Sequence, residues 1–186
     1  MALCGVVLET QLGHVNTLSV GQITVDGLSL TYHGTQRVAI DNAGRSVYGG
    51  SNLTCVRGGW DALGRVPIST NVRLAVNQAR RYDKCTCAYP GFIASRRNYD
   101  VGQGTDANGE WRSGVFEASW RVGGASTAEL AAAAAFCRNP ALRIVDVSVV
   151  KQFGVSCETP PDAVVHTRMT IDGPITRYVR VTRTAP

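Results

Sequence analysis

Long apolar runs are absent from this sequence of 186 residues. No stretch approaches the roughly 18 consecutive apolar residues that predict a transmembrane helix. The amino terminus, Met1–Glu9, also lacks the basic segment of a secretory signal peptide, and its apolar run is too short for one. We therefore expect a chain that is made in a cytoplasm, is not secreted by a signal peptide and has no membrane partner.

Sequence signatures of catalysis are missing as well. There is no Gly-x-Ser-x-Gly and no His-Glu-x-x-His motif, and the sequence Gly102-Gln103-Gly104 has Ala107 where a nucleotide-binding loop needs a third glycine. A catalytic pair of carboxylates is left open by the sequence, since Asp and Glu residues that are distant along the chain meet only in the fold. These absences predict no catalytic residues and no cofactor, and they favour a protein that is not an enzyme.

Lysine is scarce, because only Lys84 and Lys151 among the 19 basic residues are lysines and the rest are arginines. The formal net charge of +5 is mild, and no block of basic residues marks a disordered arm for nucleic acid. The charge therefore indicates either affinity for an anionic partner such as RNA or DNA, or an ordinary basic soluble protein.

Paired cysteine knuckles are also absent. Structural zinc sites usually carry two Cys-x₂₋₄-Cys pairs. Cys85 and Cys87 are separated by a single residue and no second pair exists, so we predict no metal site. Without a signal peptide, the six cysteines are expected to be free thiols, and those in apolar contexts are expected to be buried: Cys4, Cys55, Cys137 and Cys157.

The clearest pattern that is present is a β-hairpin over residues 20–33. Two alternating runs flank Asp26-Gly27, which suits a two-residue turn. Folding about that turn sets Ile23 opposite Leu30 and Val25 opposite Leu28 on an apolar face. The opposite face pairs polar residues, namely Thr24 with Ser29 and Gln22 with Thr31. The register of such a one-sided hairpin is well specified.

Turn residues recur along the first third of the chain at intervals typical of antiparallel strands. They predict short strands near 3–9, 18–25, 28–33, 36–40, 45–48 and 52–57. The expected fold is therefore mainly β, of the β-rich α+β class, with an antiparallel sheet or sandwich of short strands. The whole chain, 1–186, is expected to form one domain.

One helix is predicted over about 127–138 and is expected to pack on a sheet. Ser126 and Glu129 match a capping box, a run of alanines follows, and Asn139-Pro140 ends the helix. Residues 66–82 fit either a strand or a helix, and the helix formers over 70–81 favour a second helix.

The segment over about 83–113 is rich in glycine and polar residues, which predicts an irregular, loop-rich region that includes a strand end at Cys85–Cys87. Residues 114–122 alternate as a half-buried strand that directs Phe116, Ala118 and Trp120 to one face and makes Trp120 a core residue. A last hairpin is predicted from 163–171 and 175–183, turned at Asp172-Gly173 through a four-residue loop because Pro174 cannot donate a hydrogen bond.

Candidate binding residues are arginines. The last hairpin sets Arg168 opposite Arg177, with His166 facing Val179 on the same side, and like charges that face each other are destabilising unless an acid, water or an anion relieves them. These residues are predicted to contact nucleic acid or a partner's carboxylate, although guanidinium groups that splay apart into solvent are the more ordinary explanation of the pattern. Arg96 and Arg97 form a second basic pair close to Tyr99. Such a combination can bind single-stranded nucleic acid by stacking, or it can simply keep the surface soluble.

Two tryptophans, Trp60 and Trp111, lie beside glycine-containing turns and are interpreted as anchors of a loop or of an interface. Exposed sheet edges must be covered or paired with neighbours. We therefore expect a self-assembling structural protein, such as a virus or phage coat, decoration or tail protein, in the virion or the host cytoplasm. Its expected partners are copies of itself and RNA or DNA. The alternatives are a small cytoplasmic enzyme with its site in 83–113 and a monomeric nucleic-acid-binding protein.

Overall fold

The computed structural model describes residues 9–154 and 158–186, and its core is one antiparallel sheet of eight strands. The strand order across the sheet is β5-β4-β1-β2-β3-β6-β8-β7. The prediction of a mainly β fold with helices packed on a sheet is confirmed. The elements in chain order are β1 (Gly13–Val25), β2 (Leu28–Ile40), β3 (Ser46–Arg57), α1 (Trp60–Gly64), α2 (Thr70–Cys87), β4 (Arg96–Thr105), β5 (Trp111–Ser119), α3 (Ser126–Arg138), β6 (Ile144–Phe153), β7 (Val164–Thr170) and β8 (Gly173–Ala185).

The first hairpin has the predicted register, with Ile23 opposite Leu30 and Val25 opposite Leu28. Its strands and β3 are longer than predicted, because the glycines interpreted as breaks lie inside them. A side chain on Gly34 would overlap the carbonyl oxygen of Asn52 on β3, so the close approach of the two strands requires glycine. The predicted strand over 3–9 lies outside the described residues except for Glu9, which is not in a strand.

The helix predicted over 70–81 is confirmed as α2, and the strand alternative for this segment is wrong. The Oγ of Ser69 accepts a hydrogen bond from the backbone N–H of Val72, which caps the helix. α2 continues to Cys87, so Cys85-Thr86-Cys87 is its last turn instead of the predicted strand end. Helix formers and an N-cap outweighed the alternating apolar pattern.

The prediction of an irregular region over 83–113 is wrong, because it contains the whole of β4 and the start of β5. β4 pairs with β1 on one side and β5 on the other. Two parts of this region are irregular, namely residues 88–95 between α2 and β4 and the turn at Asp106–Gly109. The Asp106 carboxylate closes that turn by accepting hydrogen bonds from the backbone N–H groups of Asn108 and Glu110. Gly102 lies within the strand because the ring of Phe116 occupies the space of a side chain there.

The two long helices cover opposite faces and opposite halves of the sheet. We call the two sides of the sheet the α3 face and the α2 face. α3 packs over β3, β6 and β8, and α2 packs over β1, β4 and β5. The two cores include Leu53, Cys55, Phe136, Val145 and Val147 under α3, and Leu18, Val20, Val76, Tyr99 and Val101 under α2. β7 lies at the sheet edge, beyond both helices.

The capping box predicted for α3 does not form. The N-cap residue is Ala125, which has no capping side chain, and the Oγ of Ser126 instead accepts a hydrogen bond from the backbone N–H of Gly123. Glu129 is buried against the sheet, where it forms an ion pair with Arg96. Because its carboxylate is paired with Arg96, Glu129 does not accept a backbone hydrogen bond at the start of α3.

Two further expectations fail because of strand geometry. A β-bulge at Asp100/Val101 places the ring of Phe116 across Gly102, which disrupts the predicted alternation. Trp120 lies just after β5 and is 45% exposed, packed edge-on against Phe92, so it is not a core residue. Within the described part of the chain, no helix is both long enough and apolar enough to cross a membrane.

Candidate functional site

The outermost strand, β7, is exposed on both of its faces. All residues of Val164–Met169 are exposed, and only Thr170 is partly buried. The exposed side chains include apolar ones, since Val164 is 74% exposed and Met169 is 76% exposed. β7 pairs with β8 on one side, and on its other side, the free edge of the sheet, no strand among residues 9–154 and 158–186 pairs with it. It therefore presents backbone donors and acceptors together with apolar side chains.

Soluble monomers usually protect such an edge with proline, lysine, a bulge or a covering element. β7 contains no proline and no lysine, and it pairs with β8 without a register shift. Its one permanent charge is Arg168. The edge can accept another strand by forming a new ladder of backbone hydrogen bonds.

The register of the last hairpin differs from the predicted one by two residues. Thr170 pairs with Gly173, so the connection is a tight turn and not a four-residue loop. The hydroxyl of Thr170 donates to the carbonyl oxygen of Gly173, whose φ of +116° suits glycine. Pro174 consequently lies inside β8. Arg177 faces His166, and Arg168 faces Ile175.

Despite this shift, three of the predicted site residues lie together on the α3 face. His166, Arg168 and Arg177 line one small cavity of about 110 Å³, and Arg168 also lines a neighbouring cavity of about 260 Å³ with Lys151. Lys151 lies opposite Arg177 in the β6–β8 ladder. We call these four residues the basic cluster: Lys151, His166, Arg168 and Arg177.

The arginines of the basic cluster have no direct ionic partner among the described residues, although the carboxylates of Asp41 and Asp172 line the larger cavity. Neither Arg168 nor Arg177 forms an ion pair or side-chain hydrogen bond within the described part of the chain. Partial burial lowers the pKa of Lys151, and the charges of Arg177 and Arg168 lower it further, while Asp41 opposes the shift. The amine of Lys151 lies 4.5 Å from the ring centre of Phe153. The cluster is therefore suited to hold an anion.

The other predicted pair, Arg96 and Arg97, is not part of this cluster. Their side chains leave β4 on opposite faces and both are used in ion pairs. The Nε of Arg96 lies 2.7 Å from a carboxylate oxygen of Glu129, and the Nε of Arg97 lies 2.6 Å from Asp83. Arginines held by internal carboxylates have little charge left for an external anion.

A buried polar network, which was not predicted from the sequence, surrounds the first of these ion pairs. The hydroxyl of Tyr32 lies 2.5 Å from Glu129 and 2.8 Å from the side-chain oxygen of Asn98. Burial raises the pKa of Tyr32 well above its usual value, and the charge of Glu129 raises it further. One signal was available, because Glu129 interrupts an otherwise apolar helix segment.

This network forms one wall of a polar cavity of about 350 Å³ on the α3 face. Two carboxylates, Asp100 and Glu117, face each other across β4 and β5 at this cavity. The Oγ of Ser19 donates a hydrogen bond to Asp100 and accepts one from the side chain of Gln36. The cavity can hold a small polar molecule, with both acids and the guanidinium groups of Arg96 and Arg121 along its walls.

The two tryptophans predicted as anchors differ in exposure. Trp60 packs at the edge of the α2 core and donates its indole N–H to Asp83, so it anchors α1 within the molecule. Trp111 begins β5, on the other edge of the sheet, and is 50% exposed. The position of Trp111 is compatible with the predicted interface role, which stays a prediction.

The cysteines agree with the burial prediction at one described position only. Cys55 is buried in the core under α3, where burial strongly raises the pKa of its thiol. Cys137 is exposed at the end of α3, contrary to the prediction, because it points away from the sheet. Cys4 and Cys157 lie outside the described residues. Cys85 and Cys87 are exposed at the end of α2.

The comparisons with known proteins identify a family. The chain belongs to the family described as "Protein of unknown function (DUF3182)", whose model matches residues 1–179. No curated protein and no solved structure matches the chain.

Proposed function

We propose that this member of the DUF3182 family is a non-enzymatic structural protein that assembles with copies of itself through β7. The observation that carries the proposal is the exposure of β7 on both faces at a free sheet edge. In the proposed contact, β7 of one copy pairs antiparallel with β7 of a second copy. This contact is self-complementary, as a two-fold dimer requires.

Side-chain chemistry supports the same contact. Val165 and Met169 project from the α2 face of β7, where none of the three described helices covers them. Strand pairing places these apolar residues beside those of the second copy and removes them from water. A virus or phage particle component, such as a coat, decoration or tail protein, is the class of structural protein that we propose. Such proteins are built from many copies of one chain.

The experiment compares matched pairs of lysine substitutions. The variant Val165→Lys/Met169→Lys adds two charges to β7, and the control Ile93→Lys/Val122→Lys adds two charges at exposed apolar residues elsewhere. Size is measured by light scattering after gel filtration over a range of protein concentrations. We expect wild type and control to form oligomers and the β7 variant to remain a 19.8 kDa monomer.

Two results would overturn the assembly proposal. One is a wild-type protein that stays monomeric at high concentration. The other is a β7 variant with the same oligomeric state as the control, because charges at the contact must oppose strand pairing. Circular dichroism of each variant verifies that the fold is retained.

The polar cavity favours a second candidate function, a small enzyme or a binder of a polar molecule. Asp100 and Glu117 form a carboxylate pair there. Asp100 lies within residues 83–113, the segment predicted to hold the site of a small enzyme, and Glu117 lies shortly after it. A compound screen by thermal shift, repeated on Asp100→Asn, tests it. A polar ligand that raises the melting temperature of wild type but not of the variant supports this candidate. A screen that finds no such ligand counts against it.

A further inference from the structure

The assembly proposal leaves the basic cluster unused. Strand pairing occupies the backbone edge of β7, and its apolar contact lies on the α2 face. The basic cluster lies on the α3 face of β6, β8 and β7, where its side chains surround two adjoining cavities. The two features are therefore separable, and the arrangement of the basic cluster does not depend on assembly through β7.

Two acids, Asp41 and Asp172, line the larger cavity together with Lys151 and Arg168. Asp41 forms an ion pair with Arg45, whereas Asp172 forms no ion pair with a described residue. Asp41 also accepts hydrogen bonds from the backbone N–H groups of Ala43 and Arg45, which lower the pKa of its carboxyl group. The carboxylate of Asp41 lines the larger cavity without binding a member of the basic cluster.

The members of the basic cluster repel one another instead. Lys151 and Arg177 are direct partners in the β6–β8 ladder, and Arg168 is a diagonal neighbour of Arg177 in the β7–β8 ladder. Like charges at such positions destabilise a sheet. An anion bound between them removes the repulsion and forms charge-assisted hydrogen bonds with the guanidinium groups.

We propose that the basic cluster binds the phosphodiester backbone of RNA or DNA. Arg168 lines both cavities, so it is shared between two adjoining phosphate positions, with Arg177 completing the smaller and Lys151 the larger. Guanidinium groups match phosphate geometry through paired hydrogen bonds. Contacts to phosphates carry no base information, so the binding has little dependence on nucleotide sequence.

The test uses fluorescently labelled single strands of RNA and of DNA, 20 nucleotides long and of mixed sequence. Binding is measured by fluorescence anisotropy at several salt concentrations. The variant is Arg168→Gln/Arg177→Gln, and the control is Arg65→Gln/Arg81→Gln, which removes the same charge from exposed arginines near and on α2. Lys151→Gln is a second, milder variant in case the double variant does not fold.

We expect wild type and control to bind alike and the cluster variant to bind about 10- to 100-fold more weakly at low salt. The slope of log affinity against log salt concentration should decrease by about 1.4 for two lost contacts to single-stranded nucleic acid. Lys151→Gln should decrease it by about half as much.

The inference is overturned if wild type binds neither strand, if the cluster variant binds like wild type, or if the control weakens binding equally. Equal weakening would indicate attraction to the net charge and not to the cluster. The size of the cluster variant is measured in the same buffer. A variant that assembles normally and loses binding shows that the loss does not come from failed assembly.

Discussion

At the scale of single residues, the ion pair between Arg96 and Glu129 joins α3 to β4. Both side chains are at least nine-tenths buried, and Arg96 also donates to the backbone carbonyl oxygens of Ser119 and Arg121. The pair therefore fixes the loop before α3 as well as the helix itself. Removing one member of a buried pair leaves the other charged and unpaired, which costs more than the pair contributes.

The variant Glu129→Gln is expected to lower the free energy of unfolding by about 3 kcal/mol, because it leaves the Arg96 guanidinium buried without a carboxylate. Urea unfolding measures the change. Glu117→Gln is the control, since Glu117 is exposed on the same face and forms no ion pair with a described residue. A loss no larger in Glu129→Gln than in the control would contradict this role for the ion pair.

His33 makes stability depend on pH. Burial on the α2 face of β2 lowers the pKa of its imidazole, although Asp146 opposes the shift. The unfolded chain therefore takes up a proton near pH 6.5, where the folded protein does not. The contribution of His33 to the free energy of unfolding is therefore fully present above this pH and is lost as the pH falls below it.

The variant His33→Gln should flatten this decrease, because glutamine does not titrate. Urea unfolding of wild type and variant at pH 7.5, 6.5 and 5.5 measures the slope, with His166→Gln on the exposed strand as the control. An unchanged slope in His33→Gln would show that His33 is not the group responsible.

At the scale of secondary-structure elements, local patterns predicted some parts of the fold and missed others. The register of the β1–β2 hairpin was predictable to the residue, because its alternation and its Asp-Gly turn are both local, whereas the lengths of its strands were not. β4 was missed because Gly102 and Gly104 resemble loop residues, while the reason for them is distant in sequence. The ring of Phe116 crosses Gly102, and backbone near Gly13 approaches Gly104.

Local patterns likewise predicted some residues of the candidate site and missed others. The alternation of β7 and β8 predicted a shared face for His166, Arg168 and Arg177, although the turn was assigned two residues too long. Lys151 was not predicted, because it joins the cluster from β6, and strand order is not a local property. Arg96 and Arg97 were predicted as accessible, because their carboxylate partners lie on α3 and α2.

A glycine substitution tests the packing of β4 on β5. In Gly102→Ala, the added methyl group overlaps the ring of Phe116, so we expect a loss of about 1 to 2 kcal/mol in the free energy of unfolding. Gly114 pairs with Gly102 in the ladder and has open space at the same position, so Gly114→Ala is the matched control. Equal effects of the two variants in urea unfolding would contradict the packing argument.

At the scale of the whole molecule, the two proposals combine into one architecture. Pairing of β7 between copies extends the sheet across a two-fold axis. Since Arg168 and His166 are part of β7, two copies of the basic cluster then flank the seam on the α3 face. Such a dimer offers nucleic acid a longer positive surface than a monomer, and binding should be tighter per chain in the assembled protein.

Hydrogen–deuterium exchange across a range of protein concentrations tests the assembly claim most directly. Amide groups on the free edge of β7 exchange rapidly in a monomer, since they have no partner strand. If copies pair through β7, protection of peptides covering 164–170 should rise with concentration, while peptides covering β5 at the opposite edge stay unchanged. Oligomers that form without any added protection of β7, or a protein that remains monomeric throughout, would contradict the account.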